Sequence, residues 1–259
     1  MNFSLEGRTY VIMGVANKRS IAWGIARSMH EAGARLIFTY ANERFEKPVR
    51  ELVDSLEGHN ALFYECDVTN DDAVNTTFTQ IKEDVGIIHG LAHCIAFANK
   101  EDLKGEFVDT SRDGYLLAHN ISAYSLVSVA RAAQPLMTEG GGIITLTYLG
   151  GERVVQNYNV MGVAKASLDA TMKYLANDLG KHGIRVNAIS AGPIRTLSAK
   201  GIGDFNTVLK QIEEKAPLRR TVTQEEVGDT AYYLLSDLSR GVTGEIIHVD
   251  SGYNIIGLA

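Results

Sequence analysis

Arg8-Thr-Tyr-Val-Ile-Met-Gly14, Ile21-Ala-Trp-Gly-Ile-Ala-Arg-Ser-Met-His-Glu31 and Arg35-Leu-Ile-Phe-Thr-Tyr40 follow one another near the start of the chain, and their order decides the fold. The first is a short apolar and β-branched run ending in glycine, as expected of a parallel strand buried on both faces. The second places its apolar residues at helical period and is closed by Gly33, a C-terminal stop signal. The third is again a strand. Strand, helix, strand predicts two parallel strands joined by a crossover.

The alternation continues outward. A charged helix spans about Glu43 to Leu56, a strand Ala61 to Cys66, a helix Asp71 to Val85 and a strand Leu91 to Ala96. A long helix from about Gly114 to Met137 follows, then a strand Ile143 to Thr147, a helix carrying Tyr158 to near Gly180, and a strand Ile184 to Ser190. Thr223-Gln-Glu-Glu226 has capping-box spacing and starts a helix to about Leu235, and Gly244 to Asp250 is a last strand. The prediction is an α/β chain: one Rossmann-type domain over 1–259, with a doubly wound parallel sheet of about seven strands. Residues from Arg195 to about Asn206 are rich in Gly, Ser and Lys with weak periodicity. They read as a mobile segment, and a substrate-binding lid is expected at about 195–214.

Composition narrows the function. A chain of 259 residues, 45% hydrophobic and 22% charged, is ordinary for a single globular domain. The net charge of -6 argues against nucleic acid as the main partner, because phosphate backbones call for clustered cations. No apolar run reaches the length of a membrane span and no export signal is seen, so a cytoplasmic location without membrane contact is expected. The two cysteines, Cys66 and Cys94, sit in apolar runs and read as small buried hydrophobes. His89 and His93 lie four apart but within a turn and strand, so no metal site is legible.

Chemistry concentrates between Thr147 and Lys165. There a strand end crosses Gly150-Gly151 and enters the helix that carries Tyr158 and Lys165. Seven residues are almost two helical turns, so the phenol and the ammonium share a face. Near neutral pH one is a hydrogen-bond donor and the other a positive charge. In a doubly wound sheet ligands sit at the carboxyl ends of the strands, so the loop Gly14-Val-Ala-Asn-Lys-Arg-Ser20 is the first to search. It is neither a Walker A loop nor a Gly-x-Gly-x-x-Gly fingerprint, since Ala16 and Arg19 stand where glycines belong. A glycine at a strand end and free amides at Ser20 and Ile21 still suit a pyrophosphate, while Gly24 is equally explained by close packing.

Taken together, Gly14-x5-Ser20-Ile-Ala-x-Gly24, Tyr148 with Tyr158-x6-Lys165, Asn159-Val-Met-Gly-Val-Ala-Lys-Ala-Ser167 and Arg185-Val-Asn-Ala-Ile-Ser-Ala-Gly-Pro-Ile-Arg-Thr196 closely resemble the bacterial NADH-dependent enoyl-acyl-carrier-protein reductases. These are a divergent branch of the short-chain dehydrogenase/reductase superfamily. The resemblance runs from about Leu5 to Gly257. Ordinary superfamily members carry Tyr-x3-Lys, whereas here the fourth position after Tyr158 is Gly162.

That resemblance implies roles. Gly14, Ser20 and Ile21 would hold the pyrophosphate, Asp67 and Val68 the adenine, and Ile95 the ribose side. Lys165 would grip the nicotinamide ribose, and Ile194, Arg195, Thr196, Leu197 and Ser198 would contact the carboxamide and phosphates. Ala98, Tyr148 and Tyr158 would border the acyl substrate. The implied reaction reduces the double bond of a trans-2-enoyl thioester, with Tyr158 donating to the oxygen that gathers charge and Lys165 biasing the phenol. Tyr148 has two roles open to it, lining the acyl pocket or assisting proton delivery. NADH is the expected reductant, with NADPH the alternative, because Glu43 and Arg44 after the second strand pull in opposite directions. The implied partner is an acyl carrier protein bearing the enoyl chain, with Arg195, Lys200, Lys210, Arg219 and Arg220 as candidate docking cations. The implied assembly is a homotetramer, with the 114–137 and 158–180 helices as plausible interface elements.

Overall fold

A computed structural model of the chain describes residues 3–196 and 205–257. Seven strands form one sheet in the order β3-β2-β1-β4-β5-β6-β7, every neighbouring pair parallel. They are β1 Thr9–Met13, β2 Arg35–Tyr40, β3 Leu62–Glu65, β4 Gly90–His93, β5 Gly141–Thr147, β6 Ile184–Ala191 and β7 Ile246–Val249. The order reverses between β1 and β4, so the loops after these two strands part and leave the crevice where a doubly wound fold binds its ligand.

Helices cover both faces. Helices α3 (Asp71–Val85), α5 (Ser125–Ala133) and α6 (Asn159–Gly180) bury Phe78, Ile81, Leu126, Leu168 and Met172 against one face. Helices α1 (Ile21–Glu31), α2 (Glu43–Val53) and α8 (Gln224–Leu235) bury Trp23, Ile25, Met29, Val49 and Leu234 against the other. The Thr223 capping box is formed, its hydroxyl accepting from Glu226 N while the Glu226 carboxylate accepts from Thr223 N at 2.9 Å. Gly24 serves packing, as the close-approach reading holds, but its partner is a helix: a Cβ there would meet Gln224 O of α8 at 2.5 Å.

Two expectations are corrected, and a third falls partly outside the described residues. The predicted continuous helix from 114 to 137 is α4 (Arg112–His119), a π-helical stretch Asn120–Tyr124, α5, and a 3-10 turn Gln134–Leu136. Side chains explain the break, because the Ser125 hydroxyl donates to Ile121 O at 2.6 Å and Ser122 Oγ accepts from Phe97 N at 3.0 Å. Strand β4 ends at His93 rather than Ala96, so Ile95 and Ala98 belong to the loop. The predicted lid at 195–214 contains a regular helix, α7 (Phe205–Lys215), which buries Leu209 and Ile212, and its residues 197–204 lie outside the described ones. Among the described residues no helix is long and apolar enough to cross a membrane.

Candidate active site

The loop from β1 to α1 is drawn tight against β4. Gly14 has φ +90°, and a Cβ there would stand 2.1 Å from Cys94 O, so glycine is the residue this approach admits. Ser20 Oγ accepts from the amides of Ala16 at 3.0 Å and Asn17 at 3.1 Å, closing the loop on itself. Gln224 Nε2 on α8 donates to Lys18 O and Ser20 O, each at 3.1 Å, and holds the loop from behind. The first turn of α1 carries no acidic residue, so the field of its free amides is not cancelled. A close-approach glycine, a self-closed loop and an open helix N-terminus fit a dinucleotide pyrophosphate.

Across the crevice, Tyr158 caps the N-terminal end of α6 with only 8% of its surface exposed, and its ring meets that of Tyr148 edge to face at 5.0 Å. Ala98 and Tyr148 pack on the cluster that contains Tyr158, Leu103, Ala118, Met161 and Ala164. The three residues expected at the substrate thus converge on one apolar wall. Burial pushes the Tyr158 phenol well above its ordinary pKa, with Tyr148 and Asp169 adding in the same direction. Burial also lifts Tyr148, to about 12, with Tyr253 and Asp250 adding. Both phenols are therefore protonated donors at physiological pH.

Lys165 is buried at 5% exposure, and its ammonium donates to Leu146 O at 2.6 Å. Burial lowers its pKa to about 8, against the pull of Asp169 and Cys94. The influences that raise the Tyr158 pKa are burial first, then Tyr148 and Asp169.

Two glycines explain the long Tyr-to-Lys spacing. A Cβ on Gly162 would meet Gly150 O at 2.8 Å, and one on Gly150 would meet Tyr158 Cδ1 at 2.4 Å. No side chain, least of all lysine, fits at 162 while the Tyr158 ring lies on Gly150. The cation sits instead at Lys165, three residues further along α6. The sequence displayed both glycines, but their contacts are non-local.

The remaining predicted residues fall into place unevenly. Asp67 Oδ1 accepts from Thr69 N at 2.9 Å and Thr69 Oγ1 at 2.7 Å, which shapes the loop after β3, and Val68 is buried. Ile95 and Ile194 are half-buried against the two faces of the sheet. Arg195 donates to Asn206 Oδ1 at 2.5 Å, and Thr196 N donates to Ile194 O at 2.7 Å. Leu197, Ser198 and Lys200 lie outside the described residues. Arg44 is exposed, its amide donating to Asn42 Oδ1 at the start of α2 beside Glu43. Among the docking cations, Arg220 is held by Glu226 at 2.5 Å and Lys210 pairs with Glu214 at 3.8 Å.

Sequence reasoning missed His93 and Asp169. His93 is fully buried, with Nε2 2.8 Å from Ser125 Oγ and Nδ1 3.1 Å from Thr145 Oγ1. The Ser125 hydroxyl also donates to Ile121 O at 2.6 Å, and the Thr145 hydroxyl to His93 O at 3.2 Å. Burial first, and Lys165 second, hold the ring neutral with a pKa of about 3. Among the described residues no group of three metal-ligating side chains comes together.

Comparison with known proteins bears on this geometry. The family model described as "Enoyl-(Acyl carrier protein) reductase" matches residues 14–254. The chain is 75% identical to an enoyl-[acyl-carrier-protein] reductase [NADH] FabI of Bacillus cereus, covering 98% of this chain and 99% of that one. It is 63% identical to an enoyl-[acyl-carrier-protein] reductase [NADPH] FabI of Staphylococcus aureus, with the same coverage. The crystal structure of the Bacillus cereus enoyl-acyl carrier protein reductase with NADP+ and indole naphthyridinone superposes with a TM-score of 0.97 at 74% identity, covering all of both chains.

Proposed function

The chain belongs to the enoyl-acyl-carrier-protein reductase family, and on that premise we propose that Tyr148, Tyr158 and Lys165 carry its reaction. The enzyme reduces the carbon–carbon double bond of trans-2-enoyl thioesters in the last step of the fatty acid elongation cycle, with NADH as reductant. One observation carries the residue assignment: the edge-to-face pair of half-buried Tyr148 and buried Tyr158 stands on the same wall as Ala98, with Lys165 on the helix that Tyr158 caps.

Gly14, Ser20 and Ile21 would hold the pyrophosphate, Asp67, Val68 and Ile95 the adenosine half, Lys165 the nicotinamide ribose, and Ile194 to Ser198 the carboxamide and phosphates. When bound, NADH supplies the hydride. Tyr158 donates a hydrogen bond to the thioester oxygen, where negative charge collects as the double bond is reduced. Its raised pKa keeps the proton on the phenol until that charge develops, and such a donor contributes about 2.7 to 4 kcal/mol in the transition state. The ring of Tyr148 walls the acyl chain and excludes water.

The substrate arrives on an acyl carrier protein, and Arg195, Lys200, Lys210 and Arg219 are its docking cations. Arg220 is the weakest candidate because Glu226 already neutralises it. A homotetramer is supported by large apolar side chains left exposed on the two helical segments expected at the interface, Leu116 at 58% and Tyr174 at 76%. The location is cytoplasmic. Following NADH absorbance with crotonyl and, separately, acetoacetyl thioester tests the function. Oxidation with the crotonyl compound is expected, and oxidation with the acetoacetyl compound alone would make this a ketone reductase.

A further inference from the structure

One buried acid has no part in the reaction as described so far. Asp169 lies four residues after Lys165 on α6, one helical turn along the same face, and is 7% exposed. Its Oδ1 and Thr147 Oγ1 at the end of β5 are both buried without a hydrogen bond of normal geometry, while the Thr147 hydroxyl faces the carboxylate and lowers its pKa. Its Oδ2 lies where Gly151 leaves room, since a Cβ at 151 would stand 2.9 Å from that oxygen. An unsatisfied buried carboxylate is costly, and its retention beside a buried ammonium calls for a reason.

From this arrangement we infer that Asp169 is a positioning residue for cofactor binding: its carboxylate, in the dry seam below Lys165, keeps that side chain an ammonium able to grip a ribose diol. The inference rests on the reading of Lys165 as the cofactor lysine. Lys165 is faced by Asp169 on its own helix and by Cys94 and His93 from β4 and its loop. His93 is neutral and Cys94 is a thiol, so Asp169 is the counter-charge available. Asp169 in turn is faced by Lys165, Lys173, Glu152 and the Thr147 hydroxyl, and Glu152 is engaged by His248 at 2.8 Å. Burial lowers the Lys165 pKa and raises that of Asp169, and each group opposes the shift of the other.

The test is the pH dependence of NADH affinity, read by nicotinamide fluorescence in wild type, Asp169→Asn, Asp169→Ser, Asp169→Glu and Lys165→Met, with folding checked by circular dichroism. Wild type should lose affinity with a midpoint near pH 8, the pKa to which burial brings Lys165. Removing an opposite charge at this range lowers such a midpoint by about one unit, the smaller end of the usual effect. At pH 8 the protonated fraction then falls from about one half to about one eleventh, a loss of affinity of about five-fold, while at pH 6 the two proteins bind within about 10%. Asp169→Glu should restore the wild-type midpoint. Two neutral variants of different size are used so that a folding failure of one leaves the other to decide. A wild-type midpoint that neither neutral variant moves, or a loss equal at pH 6 and pH 8, overturns the role of Asp169. A flat wild-type profile matched by Lys165→Met overturns the Lys165 reading, and this inference with it.

Discussion

Replacing Gly162 by alanine isolates the contact that sets the Tyr-to-Lys spacing. The new Cβ would lie 2.8 Å from Gly150 O, well inside ordinary van der Waals contact, and the obstacle is backbone that cannot rotate away. Overpacking of this kind costs about 1 to 3 kcal/mol. Alanine in a helix recovers about 0.5 to 1 kcal/mol relative to glycine, leaving a net loss of about 1 kcal/mol. In a chain of this size that lowers Tm by about 2 to 4 °C. The larger effect is on turnover, because Gly150 carries the Tyr158 ring and pushing its carbonyl moves the phenol. A misplacement approaching 1 Å costs as much as 100-fold, so kcat should fall by about 10- to 100-fold with the KM for NADH little changed. Gly180→Ala, at the other end of α6 with nothing within 4 Å of the new Cβ, is the control and should leave Tm equal or higher. Calorimetry and steady-state kinetics with crotonyl thioester decide the matter. Gly162→Ala with wild-type Tm and full turnover would falsify the steric account of the spacing.

Further outcomes are expected. Tyr158→Phe should lower kcat by about 100- to 1000-fold while NADH affinity changes little, and full turnover in stopped-flow assays would remove the phenol from the reaction. Gly14→Ala meets Cys94 O at 2.1 Å with φ +90°, so soluble protein that still binds NADH would show the β1–α1 loop to be looser than described. Arg220 hydrogen-bonds Glu226 and holds its pKa at about 2, below the ordinary 4.5. The folded-state pKa is depressed, so this pair's stabilisation is present above pH 4.5 and lost as pH falls towards 2. Acid unfolding of Glu226→Gln should therefore differ from wild type above that window and converge with it below, and parallel curves throughout would count against the pairing.

The parallel α/β order, the capping box at Thr223 and the seven-residue spacing of Tyr158 and Lys165 were all readable in the chain because each is local. Periodicity over a few turns, a side chain reaching its own helix end, and a seven-residue spacing need no knowledge of what lies across the sheet. Gly14 was legible as a strand-end glycine, though not as the point where the backbone nears Cys94 O. The hydroxyl of Ser20, a residue expected at the phosphates, builds the loop from within.

What the tertiary structure alone decided is non-local. The helix at 120–124 shifts to π geometry because Ser122 bonds the β4 loop, 25 residues away in sequence, and Ser125 lies against His93. Gly162 and Gly150 are mutually required because α6 returns against the turn that follows β5. Asp169 became visible only once burial removed water from both it and Lys165. Local pattern determines which elements form and in what order. Which side chains share a dry site depends on the packing of elements far apart in sequence, where exclusion of water sets an ordinary Lys-x3-Asp spacing in a seam that shifts the pKa of both groups.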